Sequence, residues 1–580
     1  MKRPTLRALA GVAAASALMW AAPIPAFADD PKDPLTVTIE RTDNLGDTVR
    51  EGDRLTYTIS YTNNTDTPIT AYPRTSNMSD VAVGAAKNCR WAKLAPKATK
   101  KCTFGYHVTG VDDVTSGFTP TVTFDATRDR EGEDVIKTGI TAQAPTVKIE
   151  PVELADGVKR NLATAGLAGF ACHRIPALTT ANNGWIIAAW DGRPDGCADA
   201  PQANSIIGRI SKDGGKTWSA PMTIAAGKKG ADKYGYSDPS FVTDRETGEI
   251  FAFFVKSFDR GIAASGLGTD PNNRNVIHAA VTSSKDNGLT WSTPRVITED
   301  ITGDPEKEYG RFATSGEGIQ LRYGDHAGRL VQQFAVNYVQ NGLEMRAVSV
   351  YSDDHGKTWK AGTPFGVIIN GREPYRMDEN KVVELSDGTL MVNSRTQGSG
   401  SPAARWVAYS RDGGQTYSEV KADHTLVDPR NNASIIRAYP NAPEGSRCAK
   451  ILLFSNAATT NSRTKGTIRV SYNDGKTWTS GKVFESGSMQ YSTMTALPEP
   501  GHYGLLYESA GPTITYMPFS MEWLGEDPQC DLVDAGTQTD PTETKDEGTQ
   551  TDPSDTTDQG TQTDQSDTND EGTQTDPSDT

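Results

Sequence analysis

Ser211-Lys-Asp213-Gly-Gly215-Lys-Thr217-Trp218 is the first of five copies of one short pattern. The others read Ser284-Lys-Asp286-Asn-Gly288-Leu-Thr290-Trp291, Ser352-Asp-Asp354-His-Gly356-Lys-Thr358-Trp359, Ser410-Arg-Asp412-Gly-Gly414-Gln-Thr416-Tyr417 and Ser471-Tyr-Asn473-Asp-Gly475-Lys-Thr477-Trp478. An Asp side chain at the third position can hydrogen-bond local backbone and nucleate a tight turn. The Gly supplies a backbone conformation that other residues resist. The Thr and the aromatic residue are expected to enter a strand and pack. Successive copies start 73, 68, 58 and 61 residues apart. That spacing accommodates a four-stranded sheet with its loops, and radial repetition of such sheets is a propeller. The pattern is structural rather than catalytic, because a turn tolerates Asn473 in the fifth copy where a catalytic carboxylate would not be exchanged. The expected class is all-β.

The 580 residues exceed one ordinary core, so two or three folded units are expected. Residues 1–28 read as a secretory signal peptide: Lys2, Arg3 and Arg7 open it, an apolar run follows, and Ala26-Phe27-Ala28 offers a cleavage site. Pro23 and Pro25 interrupt the run, which is short for a membrane span, and no later segment reads as transmembrane. Residues 29–150 alternate apolar and polar positions, as in Leu35-Thr-Val-Thr-Ile and Leu55-Thr-Tyr-Thr-Ile-Ser-Tyr. That pattern fits an Ig-like β-sandwich acting as a spacer or a glycan or surface binder. The repeat body spans 151–525. Residues 526–580 form an acidic tail in which Gly-Thr-Gln-Thr-Asp recurs every 12 residues from Gly536. With almost no apolar residues, the tail is expected to be disordered.

The net charge of −16 is concentrated: residues 531–580 carry 15 acidic groups and one Lys, leaving the rest near balance. The body need not repel an anionic substrate, and no basic stripe argues for nucleic acid. Six Cys in an exported chain permit disulfides. Cys89 and Cys102 suit a strand-loop-strand staple, Cys172 and Cys197 are candidates to pair, and Cys448 and Cys530 remain. Spacing leaves the connectivity open, and no metal-ligand spacing of the CxxC type is present.

Several segments point to one family. His173-Arg174-Ile175-Pro176 precedes the first copy, and Asp191-Gly-Arg193-Pro and Asp199-Ala-Pro follow it. Tyr236-Ser-Asp238-Pro, Met377-Asp-Glu379-Asn, Asn393-Ser-Arg395, Ser462-Arg463, Tyr491-Ser-Thr and Gly504-Leu-Leu-Tyr-Glu508 come later, in that order. Over roughly residues 154–523 the chain resembles the bacterial exo-sialidases, or neuraminidases, six-bladed Asp-box propellers. The resemblance implies a retaining exo-α-sialidase that hydrolyses terminal sialic acids of glycoproteins, glycolipids and oligosaccharides, with no cofactor or catalytic metal.

The residue types suit that chemistry. A sialic acid carries a carboxylate on its anomeric carbon, and Arg offers fixed, bidentate positive charge. The resemblance assigns Arg174, Arg395 and Arg463 to it, with Arg469 a nearby rival for the third. A carboxylate nucleophile would approach a carbon already bearing a carboxylate, whereas a neutral phenol avoids that repulsion. The phenol then needs a base. Tyr491 is implied as nucleophile, Glu379 as its base and Asp199 as acid/base, with Asp195 the competitor for the last role. Glu508 is implied to orient the first Arg, and Arg193 and Asp238 to line the pocket, unless they are structural. His173 stands where Tyr or Phe is usual in the family, as a packing substitute or a pH-tuning residue.

The alternatives are a trans-sialidase or intramolecular, anhydro-forming variant, and a non-catalytic sialic-acid-binding adhesin. The adhesin reading would sacrifice Tyr491, Glu379 or Asp199, and all three are present. The leader implies a secreted or cell-surface protein, with the tail as a spacer at the surface. Screening confines the tail's charge to about 8 Å at physiological salt. Truncation at Gly536 is therefore expected to leave kcat/KM on a soluble sialoside unchanged; a large fall with an unaltered melting temperature would mean that the tail docks on the body.

Overall fold

A computed structural model describes residues 33–50, 53–78, 89–108, 117–150, 154–339, 343–398, 400–526 and 530. The leader and nearly all of the acidic tail lie outside these residues. About half of the described residues are in strands, and the only helix among them besides four 3-10 turns is the short Met521–Leu524. No helix among the described residues is long and apolar enough to cross a membrane.

The N-terminal part holds a two-stranded sheet, Thr48–Val49 with Lys148–Ile149, and two larger ones. Leu35–Arg41, Arg54–Asn63 and Thr99–His107 form one; Trp91–Leu94, Ile69–Ser76, Thr121–Thr127 and Val135–Gln143 form the other. Residues of both enter a single buried cluster that includes Leu35, Tyr57, Ile59, Val122 and Phe124. The period-2 burial of Arg54–Asn63 is what a sheet with one core face requires. Cys89 is bonded to Cys102 at its edge.

From Arg160 onward the chain builds six successive sheets. Their first strands are Cys172–Thr180, Gly235–Thr243, Glu308–Ala313, Arg372–Glu384, Ser434–Arg437 and Ser492–Ala496. First strands touch at the junctions of sheets one and two, two and three, four and five, five and six, and six and one, while Arg372–Glu384 meets Leu330–Val339 and Leu343–Ser352 of the third sheet; the first strands line the axis. The short strand Arg160–Ala163 pairs antiparallel with Ile514–Ser520 of the last sheet. The beginning of the ring thus completes its final sheet and closes the circle.

Each sheet buries both faces. Six apolar clusters each join two adjacent sheets around the ring: Ala189 and Ile206 meet Phe241 and Phe254, Phe253 meets Phe334, and Val382 meets Val331. Leu452 then meets Val383, Leu505 meets Leu453, and Leu178 meets Leu506. Strands buried on both sides read as continuous apolar runs, as in Ile186–Arg193 and Ile250–Ser257. Full burial of such a side chain contributes roughly 1.5–3 kcal/mol, against about 0.5–1.5 kcal/mol net for a typical hydrogen bond. Packing between sheets therefore dominates the hold on the ring.

The five repeated boxes are turns, and here the structure corrects one expectation. The strand ends at the box Ser, Thr217 stays in the turn, and Trp218 makes only an isolated β-bridge instead of entering a strand. The Asp213 carboxylate draws them back: it accepts from Thr217 N at 2.9 Å and Thr217 Oγ1 at 2.5 Å, while Gly215 N donates to Ser211 Oγ at 2.8 Å. The fifth box keeps the loop with an amide: Asn473 Oδ1 accepts from Thr477 N, and Asn473 Nδ2 donates to Thr477 Oγ1. Two box glycines are obligatory. Gly215 has φ +90°, and a Cβ there would sit 2.3 Å from the Tyr516 ring; at Gly356 it would sit 2.1 Å from Phe251. The first and third boxes thus seat against an aromatic ring of the preceding sheet.

His173 is fully buried, and its Nδ1 accepts from Trp190 Nε1 at 2.9 Å. It packs edge-on against Phe170 and Trp190. Burial lowers its pKa from the ordinary 6.5 to about 4. The unfolded chain therefore binds more protons between those values, so stability rises with pH across the window and is lost as pH falls through it. The shift corresponds to about 3 kcal/mol at most. His173→Gln keeps an acceptor for Trp190 and does not titrate. Denaturant midpoints measured from pH 7 to pH 4 should fall less steeply for the variant; parallel curves would show that His173 is not a source of the acid lability.

Candidate active site

The side chains singled out in the sequence gather at one end of the axis, near the starts of the first strands. Local backbone explains how. Three first strands carry a register shift at the relevant residue: between Arg174 and Ala177, between Ser237 and Ser240, and between Met377 and Asn380. Such bulges re-aim side chains and recur beside active sites. Ile175 (φ 63°) and Asp238 (φ 62°) hold left-handed backbone within two of them. Ile175 is locked there by its N–H, which donates to Glu508 Oε1 at 2.7 Å.

Tyr491 and Glu379 form the centre. Tyr491 is 7% exposed, and its hydroxyl donates to Glu379 Oε1. Arg395 bridges the two: Nη1 donates to Glu379 Oε2 and, at 3.0 Å, to Tyr491 Oη. Burial would raise the Glu379 carboxyl, but the Arg395 charge and the Tyr491 hydrogen bond hold it below its ordinary value. Burial and the Glu379 charge push the Tyr491 phenol well above its ordinary range, against the pull of Arg395 and Arg463. At neutral pH the pair is a protonated phenol against an ionised carboxylate.

Arg174 and Arg463 flank this pair. Their guanidinium carbons lie 5.6 and 5.5 Å from the centre of the Tyr491 ring. Arg174 is anchored by Glu508, Nη2 to Oε2 at 3.0 Å, and the carboxylate is 2% exposed. Arg463 Nη2 donates to the Arg430 carbonyl. Its rival Arg469 points instead to Asn456 Oδ1 at 3.3 Å. Arg174, Arg395 and Arg463 thus surround one phenol, a fit for a ligand carboxylate beside it.

Asp199 stands apart from the buried pair. Its side chain is 79% exposed, yet Oδ1 is held by Arg193 Nη1 at 2.7 Å and lies 3.9 Å from Arg174. Asp195, its competitor, pairs outward with Lys229 at 2.6 Å. The loop is tied back by the Cys172–Cys197 disulfide, and Cys448 pairs with Cys530. Closing a loop of that size stabilises by about 3 kcal/mol. Arg193 is buried between Asp191, Asp199 and the Cys197 carbonyl, which makes it the holder of Asp199. Asp238 is half-buried, and its N–H donates to Asp191 Oδ1 at 2.9 Å. Burial and the Asp191 charge raise its carboxyl well above the ordinary value, so it is poised to donate a hydrogen bond.

Four contributors escaped the sequence reading. Gln490 Oε1 accepts from both Arg174 Nη2 and Arg463 Nη1, each at 3.2 Å, and so sets their spacing. Asp191 was visible in its motif but without a role; it joins Arg193 to Asp238. Asp378 lies 3.7 Å from Arg395, and burial with the Glu379 charge lifts its carboxyl to about 6. Lys381 sits buried on the strand of Glu379, donates to the Ser315 carbonyl, and is lowered to about 7 by burial. Asp191 and Asp378 stood in quoted motifs without a role, and Gln490 and Lys381 had no local sequence signal.

A family model described as a BNR repeat-like domain matches residues 184–505. A sialidase of Micromonospora viridifaciens is 54% identical over 367 residues, which are 63% of this chain and 54% of that protein. A sialidase of Bacteroides fragilis is 30% identical over 61% of this chain and 62% of its own length. The chain thus spans little more than half the length of these relatives. Among solved structures, the Hadza microbial sialidase Hz136 superposes with a TM-score of 0.55 at 20% identity, over 85% of this chain and 93% of that one. An intramolecular trans-sialidase of Ruminococcus gnavus gives 0.53 at 22% identity, over 65% and 100%. These two likenesses speak to the fold. With its boxes, its ring of six sheets and the matched family model, the chain belongs to the BNR repeat-like, or Asp-box, family.

Proposed function

We propose that the protein is a retaining exo-α-sialidase acting on terminal sialic acids of glycoproteins, glycolipids and oligosaccharides. The observation that carries this reading is the buried phenol of Tyr491, hydrogen-bonded to Glu379 and ringed by Arg174, Arg395 and Arg463. The three guanidinium groups take the substrate carboxylate and hold the anomeric carbon near Tyr491. The phenol oxygen attacks that carbon while Glu379 accepts the phenolic proton. The bond to the leaving oxygen breaks as Asp199 protonates it. In the second half Asp199, exposed enough to meet solvent, takes a proton from water. The water oxygen then displaces Tyr491, which recovers its proton from Glu379. Two displacements at one carbon retain configuration. Glu379 is already ionised and Arg395 touches both partners, so the phenol is relieved of its proton without carrying a full charge in the resting state. Export is supported by the leader-like N-terminus and the three disulfides.

Tyr491→Phe should reduce kcat on sialyl-lactose by several orders of magnitude and leave the melting temperature in place. NMR of the released sugar should show the α-anomer first in the wild type. Near-normal turnover of the Phe variant with retained configuration would refute the nucleophile. Glu379→Gln should be about as severe, and the double variant scarcely worse than either, since phenol and base act as one unit.

Asp199→Ala should damage hydrolysis of sialyl-lactose far more than that of an aryl sialoside, whose phenolate departs without a proton. The measurement is the ratio of kcat/KM values on the two substrates. Equal losses would move the acid elsewhere.

A further inference from the structure

A cleft of about 480 Å³ opens between the fourth sheet and the fifth box, and no residue around Tyr491 lines it. Its volume is in the range of small-ligand sites. Met391 and Val407, both buried, form its floor, and Tyr409 and Trp478 line its sides.

The repeat provides an internal comparison. Tyr409 immediately precedes the Ser of the fourth box. At the matching position of the other boxes Ile210, Tyr351 and Val470 are buried and Ser283 is half-buried, whereas Tyr409 is 41% exposed. A corresponding cleft of about 590 Å³ lies between the second sheet and the third box. There Ser283 takes the place of Tyr409, and Trp359 is withdrawn, 2% exposed, edge-on against Phe253. A void therefore accompanies both junctions; the second one's aromatic, the buried Phe251, stands in the place of Met391, and of the two clefts only this one is lined by the partly exposed rings of Tyr409 and Trp478. Trp478 is partly exposed, whereas its counterparts Trp218 and Trp359 are buried.

The rim is polar and charge-balanced: Lys421 and Lys476 face Asp423 and Glu419, and His424 is exposed beside them. An aromatic platform with donors and acceptors around it matches a pyranose ring. The C–H groups of one sugar face lie against the negative face of the aromatic ring, and the hydroxyls meet the polar rim. Balance between the two Lys and the two carboxylates gives no net preference for an anion. We propose that this cleft is a second, non-catalytic glycan site that takes an uncharged hexopyranose, held on Tyr409 and Trp478. The assignment stands on the cleft alone and is independent of whether Tyr491 turns over sialosides.

The test uses the full chain and N-acetyllactosamine, which carries no sialic acid. Saturation-transfer NMR titration of the wild type should show saturable binding. Tyr409→Ala should weaken it about tenfold or more, which is ~1.4 kcal/mol or more, and leave the melting temperature and the turnover of an aryl sialoside unchanged. His424→Ala, on the exposed rim, is a second variant that spares the fold and should also weaken binding. Absence of saturable binding, or binding by both variants undiminished from the wild type, would overturn the assignment. In a Tyr491→Phe background, sialyl-lactose binding that Tyr409→Ala weakens while N-acetyllactosamine binding does not respond to Tyr409→Ala would overturn the uncharged ligand. Loss of aryl-sialoside turnover with intact N-acetyllactosamine binding bears on the proposed hydrolase and leaves this site standing.

Discussion

Closure of the ring is the constraint on which the rest depends. The pairing of Arg160–Ala163 with Ile514–Ser520 joins residues about as far apart in sequence as the body allows. It brings the first sheet beside the last, and so sets Arg174 against Glu508 across 334 residues of chain. The contact is a buried carboxylate facing a mostly buried guanidinium. Removing one partner of such a pair strands the other, typically at a cost of about 3–5 kcal/mol. The same carboxylate also fixes the left-handed backbone of Ile175. One acidic group on the last sheet therefore determines the direction of the first arginine, and the site exists only because the circle is shut.

Electrostatics divide the site in two. Around Tyr491 three guanidinium groups match the three carboxylates Glu379, Asp378 and Glu508, and Glu379 is held ionised despite burial. Around Asp191, Asp199 and Asp238 carboxylates are in excess: three share Arg193, burial lifts Asp191 to about 6, and burial with the Asp191 charge raises Asp238 well above its ordinary value. One half suits a ligand anion, and the other presents a neutral carboxyl that can donate to a polar ligand group. Near-neutrality of the body away from the acidic tail is compatible with both halves.

The fold was legible in the sequence because its signals are local and repeated. Each box closes on its own side chains, Asp213 to Thr217 and Asn473 to Thr477, so spacing alone marked the sheets. Even so, local reasoning placed Thr217 and Trp218 in a strand, because propensity does not register the pull of the Asp carboxylate. The site residues were legible through motifs, each a short run such as Met377-Asp-Glu379-Asn on one first strand. What was hidden is whatever depends on several strands at once. Gln490 acts only because Arg174 and Arg463, 289 residues apart in the chain, both reach its amide oxygen. Lys381 is unusual only because the ring buries it. No window of sequence contains either fact.

Under the proposed mechanism, the separation of Asp199 from the buried pair follows from what each would do. A phenol and its base work best where water is excluded and their charges are fixed by neighbours, which is the condition of Tyr491 and Glu379. An acid/base that first gives a proton to a leaving group and then takes one from water must reach solvent, as Asp199 does at 79% side-chain exposure. An exposed carboxylate on a loop would wander, however. The Cys172–Cys197 bridge and the bond from Arg193 restrain it from two directions, and Arg193 is in turn buried against Asp191. The exposed group inherits its position from buried ones. Loop and strand thereby share one arginine, and the acid keeps contact with water without losing its place beside Arg174.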